Sequence, residues 1–166
     1  MEVTAAERTV WAHLLTARGW ILAAVRLPGR LTLMRHLHGA GRLLHLAEVA
    51  SGWWRPGAAP LSIAKAQTLL VVPQVDERVA PSPSRGRGVV WNTTFLLAKG
   101  QVTGRFDARR GVTPAGYLER APRFVVLEGA RLRLQSRPTF GAGTLRSIIV
   151  NTGAMVAVAA RPQARA

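Results

Sequence analysis

The chain says nearly the same thing twice. Residues 17–49 align without a gap on residues 98–130, at an offset of 81. Identities fall at Ala17/Ala98, Gly19/Gly100, Thr32/Thr113, Leu37/Leu118, Ala40/Ala121, Arg42/Arg123 and Leu46/Leu127. Apolar residues meet apolar residues at Ile21/Val102, Val25/Phe106, Leu31/Val112, Leu43/Phe124 and Leu44/Val125. A Val-Trp pair opens each copy (Val10-Trp11, Val90-Trp91), and each closes on an apolar run, 63–72 and 149–158. Equivalent apolar positions demand equivalent burial, so a duplication constrains the fold strongly and the function weakly.

Each copy reads as strand, strand, short helix, strand, strand. Gly19 and Gly100 mark tight turns, because glycine tolerates positive φ. Val102, Gly104 and Phe106 alternate with Gln101, Thr103 and Arg105, the pattern of a half-buried strand. Thr32 and Thr113 are placed to cap the helices, and Pro114 takes the first helical position. Leu33, Met34 and Leu37 are expected to face inward in the first copy, Tyr117 and Leu118 in the second. Gly39 and Pro122 end the helices. The expected fold is mainly β (α+β): two tandem small β-sandwich or barrel-like repeats, each with one short helix after its second strand. The expected boundaries are 8–73 for the first repeat, 74–88 for a Pro-rich linker, 89–160 for the second repeat and 161–166 for a tail.

The pattern resembles a family of small bacterial β-rich domains with no assigned activity. Their helix carries an R-L-S-D-x-L-N-like motif, followed by F-L-x-L-like and I-N-K-like strands. The matching residues are Arg30-Leu31-Thr32, Arg42-Leu43-Leu44-His45-Leu46 and Ile63-Ala64-Lys65. In the second copy they are Val112-Thr113, Arg123-Phe124-Val125-Val126-Leu127 and Ile149-Val150-Asn151. Leu33 and Pro114 stand where the motif has Asp, and the spacing to the next strand differs. The resemblance implies a fold and no chemistry.

Composition narrows the partners. Net charge is +15 over 166 residues, and Lys65 and Lys99 are the only lysines among 23 basic residues. A surface this positive attracts polyanions, and arginine pairs bidentately with phosphate and carboxylate. With no cysteine there are no disulfides or thiolate metal sites. The polar, acidic start does not read as a secretory signal. The longest apolar stretches fall short of the ~20 residues a spanning helix needs.

No catalytic signature stands out. His13, His36, His38 and His45 have no counterparts in the second copy, and the carboxylates are scattered. There is no GxGxxG, P-loop or GxSxG. No catalytic residue, metal, cofactor or small-molecule substrate is therefore expected.

The differences between the copies carry the functional expectation. The first holds Trp11, Trp20, Trp53 and Trp54, and its second strand is apolar on both faces, Trp20, Leu22 and Ala24 opposing Ile21, Ala23 and Val25. The second sets Arg131, Arg133 and Arg137 in alternation with Leu132 and Leu134, with Arg105, Arg109 and Arg110 on neighbouring elements. These six arginines are the expected anion-binding residues. Trp20, Leu22, Trp53, Trp54 and Arg55 are the expected interface. The leading expectation is a non-catalytic accessory subunit, cytoplasmic and peripheral to the inner membrane. It would dock on protein subunits of a larger complex, energy-transducing or photosynthetic for example, or on anionic lipid. The alternative is a nucleic-acid-binding β-barrel-like protein that stacks bases on Trp11, Trp91 or Phe106. A third reading, an enzyme, would need a cleft joining His36, His38 and His45 to Glu48.

Overall fold

The computed structural model describes residues 7–55, 57, 60–74, 88–120, 123–136, 138, 140 and 143–163. The protein is mainly β: among the described residues 62% lie in strands, and there are two short helices. It divides into two units, Met1–Val79 and Ala80–Ala166.

Unit 1 contains β1 (Arg8–Thr16), β2 (Gly19–Leu27), α1 (Leu33–His38), β3 (Leu43–Gly52), β4 (Leu61–Ala64) and β5 (Thr68–Pro73). A one-turn 3-10 helix, Lys65–Gln67, separates β4 from β5. The strands pair antiparallel: β5 with β1, β1 with β2, β2 with β3 and β3 with β4.

Unit 2 contains β6 (Gly88–Leu97), β7 (Gly100–Arg109), α2 (Pro114–Leu118), β8 (Phe124–Leu134), β9 (Leu145–Asn151) and β10 (Met155–Pro162), with a 3-10 turn at Thr152–Ala154. Its pairing is β10 with β6, β6 with β7, β7 with β8 and β8 with β9. Element order and strand order thus match those of unit 1.

The closing strand departs from expectation. Each apolar run at the end of a copy is two strands broken by a 3-10 turn, not one strand. Hydrophobic content alone does not show the break, because apolar residues flank it on both sides. A polar residue stands at the start of each break. Lys65, 4% exposed, donates its ammonium to the carbonyls of His36 and Gly39 at the C-terminal end of α1. Asn151, fully buried, accepts from the Gly153 N–H at 2.9 Å. In addition, β6 begins at Gly88, inside the expected linker, and β10 runs through Pro162, inside the expected tail. Residues 75–87 and 164–166 lie outside the described residues.

The helices form where local chemistry directs. Thr32 Oγ1 accepts from the Arg35 N–H at 3.2 Å, and Thr113 Oγ1 accepts from the Gly116 N–H at 3.1 Å. Each bond satisfies one of the orphan donors of a helix N-terminus. Leu33 and Leu37 are buried, whereas Leu118 is half-buried and Pro114 takes the buried place in α2.

The core positions correspond through the hairpin register. Ile21 and Val102, Val25 and Phe106, and Leu46 and Leu127 are all buried. Thr16 pairs with Gly19 and Leu97 with Gly100, so β1 and β6 correspond at the same offset of 81. That register corrects the Val-Trp match. Val10 pairs with Val25 and Trp91 with Phe106, so Trp91 is the counterpart of Val10 and not of Trp11. A slip of one residue in a strand moves a side chain to the other face. Trp11 and Trp91 therefore stand on opposite faces of their sheets.

Candidate docking surface

The face of unit 2 opposite its core is built in three rows across four strands. Ala157, Leu96, Gln101 and Arg133 are successive partners across β10, β6, β7 and β8. Ala159, Thr94, Thr103 and Arg131 form the next row, and Arg161, Asn92, Arg105 and Glu128 the third. Side chains alternate along each strand, so these rows share one face. Phe95, Val102, Phe106 and Leu97 lie on the other face and are buried.

The surface is polar and basic. Arg105, Arg131, Arg133 and Arg161 are all exposed. Arg131 Nε donates to Thr144 Oγ1 at 3.2 Å, which orients its guanidinium. Arg105 lies 3.9 Å from Glu128, and both side chains are more than half exposed, so the pair is weakly held and open to exchange. A hydrogen bond of 2.9 Å joins Thr94 to Thr103 at the centre. Leu96, 43% exposed, supplies an apolar point beside them.

Arg109 shares the alternation of Arg105 at the end of β7, and Arg110 follows in the turn; both are exposed. Arg137 lies outside the described residues. Arg161, inside the expected tail, belongs to the face through its pairing with Asn92 on β6.

The corresponding face of unit 1 has the opposite character. Its rows are Leu15 with Trp20, then His13, Leu22 and Ser51, then Trp11, Ala24 and Glu48. Leu15, Trp20, His13 and Ala24 are buried, Trp20 at 7% exposure, while Leu22 is half-buried. Trp53 and Trp54 are also half-buried and meet edge to face at 6.3 Å. The Arg18 guanidinium sits 5.3 Å from the centre of the Trp53 ring, an arrangement that favours the cation. The Trp53 indole nitrogen is buried without a hydrogen-bond partner among the described residues. Arg55 is exposed just beyond.

The histidines are divided among separate settings. His13 shares a hydrogen bond with Gln74 at 3.3 Å, and His45 Nδ1 shares one with Ser62 Oγ at 2.8 Å. Burial, then the charges of Lys65 and His45, hold the His36 imidazole below its ordinary range. No group of three or more metal-ligating side chains forms among the described residues. No helix among them is long and apolar enough to cross a membrane. Comparison with protein-family models, with curated proteins and with solved structures gives no match.

Proposed function

We propose that this protein is a non-catalytic accessory subunit that docks electrostatically on an acidic face of a larger assembly, at the cytoplasmic side of a membrane complex. The observation that carries this reading is the outer face of unit 2, where Arg105, Arg131, Arg133 and Arg161 are exposed against two carboxylates, Glu128 and the half-buried Asp107. Exposed arginines on a rigid sheet match carboxylates bidentately without ordering a loop. The reading treats the two units as diverged copies of one ancestral unit: one kept an apolar outer face, the other became basic.

Two features favour an acidic protein over the alternatives. Base stacking needs aromatic rings on the basic face. Phe106 is buried on the other side against Tyr117, with ring centres 5.3 Å apart, and Trp91 shares its side. Lipid anchoring by Trp53 and Trp54 is disfavoured because both are partly withdrawn into unit 1.

The test is capture from native membranes at low and high salt, comparing the wild type with Arg105→Ser/Arg131→Ser/Arg133→Ser. The expected outcome is a defined set of membrane-complex subunits, retained at low salt and lost in the variant. Equal recovery by both proteins, or exclusive recovery of nucleic acid or lipid, would overturn the proposal.

A further inference from the structure

One carboxylate stands on the basic face because of a bulge. Between β7 and β8, Thr103 opposes Arg131 and Arg105 opposes Glu128, so β8 carries an extra residue there. The extra residue falls at Gly129–Ala130, and Gly129 has φ 55°, a conformation glycine takes without strain. The bulge shifts the alternation of β8 by one. Arg131 and Arg133 face outward at odd positions, whereas Glu128, beyond the bulge, faces outward at an even one. Leu127, fully buried, turns to the core instead. In a regular strand Glu128 and Leu127 would exchange faces.

The bulge also seats the cation. A Cβ at Gly129 would lie 3.6 Å from Arg105 Nε and 3.9 Å from one terminal nitrogen, so the guanidinium rests over the glycine. From there it reaches the Glu128 carboxylate at 3.9 Å. On its other side Glu128 has Ser147 of β9 as its cross-strand partner. Asp107, the second carboxylate of this face, is half-buried two residues along β7, whereas Glu128 is exposed. The first copy has neither member of the pair: Ala24 and Ala47 stand at the positions corresponding to Arg105 and Glu128. The pair is found only in the copy whose outer face is basic.

Building on the docking reading above, we propose that Glu128 is a tethered competitor for Arg105, holding it in the free protein and yielding it to a carboxylate of the acidic partner. Two carboxylates on one guanidinium repel each other, so a partner gains Arg105 only as Glu128 leaves. An exposed pair is weak, which keeps the exchange reversible. The Ser147 hydroxyl is placed to donate to the displaced carboxylate. The penalty falls on every acidic surface alike. A strongly acidic face offsets it through Arg131 and Arg133, and a weakly acidic one does not. Glu128 thereby sets a threshold for docking, specificity obtained by a repulsive element within an attractive site.

The probe is an oligo-glutamate peptide, titrated calorimetrically into the full chain at low and high salt. Glu128→Gln keeps the side-chain length and removes the charge at an exposed position. It should bind about three- to fivefold more tightly than the wild type at low salt, with the difference fading at high salt. Glu119→Gln makes the same change in net charge at an exposed position beyond α2, which packs on the core side through Tyr117 and Phe106. It should bind like the wild type. With Arg105→Ser in place the gain from Glu128→Gln should largely vanish, whereas simple repulsion gives the same gain in both backgrounds. The Arg105 Nε–Hε NMR signal should move when peptide is added to the wild type, and in Glu128→Gln before any is added. Loss of binding in Arg105→Ser/Arg131→Ser/Arg133→Ser, together with unchanged affinity in Glu128→Gln, an equal gain in Glu119→Gln or a gain independent of Arg105, overturns the competitor and leaves docking standing. A peptide that binds neither the wild type nor Glu128→Gln, or binds the triple variant as well as the wild type, overturns docking itself and the competitor with it.

Discussion

The Lys65 ammonium donates to the Gly39 carbonyl at 3.1 Å, across the start of a 3-10 turn and the end of α1. A cation at a helix C-terminus satisfies carbonyls that have no intrahelical donor and opposes the negative end of the dipole. Burial pulls the Lys65 amine below its ordinary range, so these bonds offset the cost of withdrawing a charge from water. Lys65→Met keeps the aliphatic length and removes the donors. It should destabilise the protein by about 1–3 kcal/mol in urea denaturation. An unchanged midpoint would show that the helix end is satisfied without Lys65.

The two turn glycines should differ in tolerance. Gly19 has φ 120° and Gly100 φ 132°, a backbone region that L side chains rarely adopt. A Cβ at Gly19 would meet nothing within 4 Å, whereas one at Gly100 would overlap the Arg133 carbonyl oxygen. Gly19→Ala should cost about 1–2 kcal/mol from backbone strain alone. Gly100→Ala should cost clearly more, because β8 has to move. Equal losses on thermal melting would rule out that close approach.

Acid should weaken the fold through His13 and His36. Burial is the leading cause that holds both imidazoles below the ordinary value of 6.5. Between the folded value and 6.5 the unfolded chain binds more protons than the folded one. Stability is thus full above that window and falls as pH drops through it. His13→Leu should flatten the decline of melting temperature between neutral and mildly acidic pH. A variant with the same slope as the wild type would place the acid sensitivity elsewhere.

The capping threonines should be of similar value in the two units. Thr32→Ala and Thr113→Ala each remove one side-chain bond to a helix N-terminus, with an expected cost of about 1 kcal/mol. Asparagine at either position should restore most of it, read in the same denaturation experiment.

A negative charge introduced at the centre of the basic face separates docking from folding. Thr94 is half-buried and bonded only across the surface to Thr103. Thr94→Asp should leave the melting temperature within a few degrees and reduce low-salt capture of the acidic partner. Full capture would move the docking surface to another part of the chain.

Much of the frame could be read from the residues. Thr32 and Thr113 act through bonds to neighbouring amides, and Gly19 and Gly100 through their own backbone conformation, local chemistry that shows in sequence. Ile21, Val25, Leu46 and their counterparts are buried as their matched spacing implied. The failures came where a remote contact decides. Lys65 bonds to carbonyls at the end of α1, outside its apolar run, whereas Asn151 bonds to Gly153 within its own; their shared place, one in each copy, is the visible sign. The alignment of Trp11 with Trp91 failed because hairpin register, set by the turn, overrides side-chain similarity by a single residue. The arginine ladder on β8 was legible from alternation, while its continuation to Arg161 required the pairing of β10 with β6.

The contrast between the outer faces has an evolutionary consequence. Both units keep the same hairpin frame, yet the position held by Leu22 in one is held by Thr103 in the other, and Trp20 by Gln101. An arginine introduced at Trp20, which is 7% exposed, would bury a charge, whereas one at the half-buried Gln101 would lie beside those already in solvent. Selection can therefore rewrite the second surface residue by residue without disturbing what lies beneath it. The first carries no such freedom, so new specificities should arise in the later half of the chain while the earlier half drifts slowly.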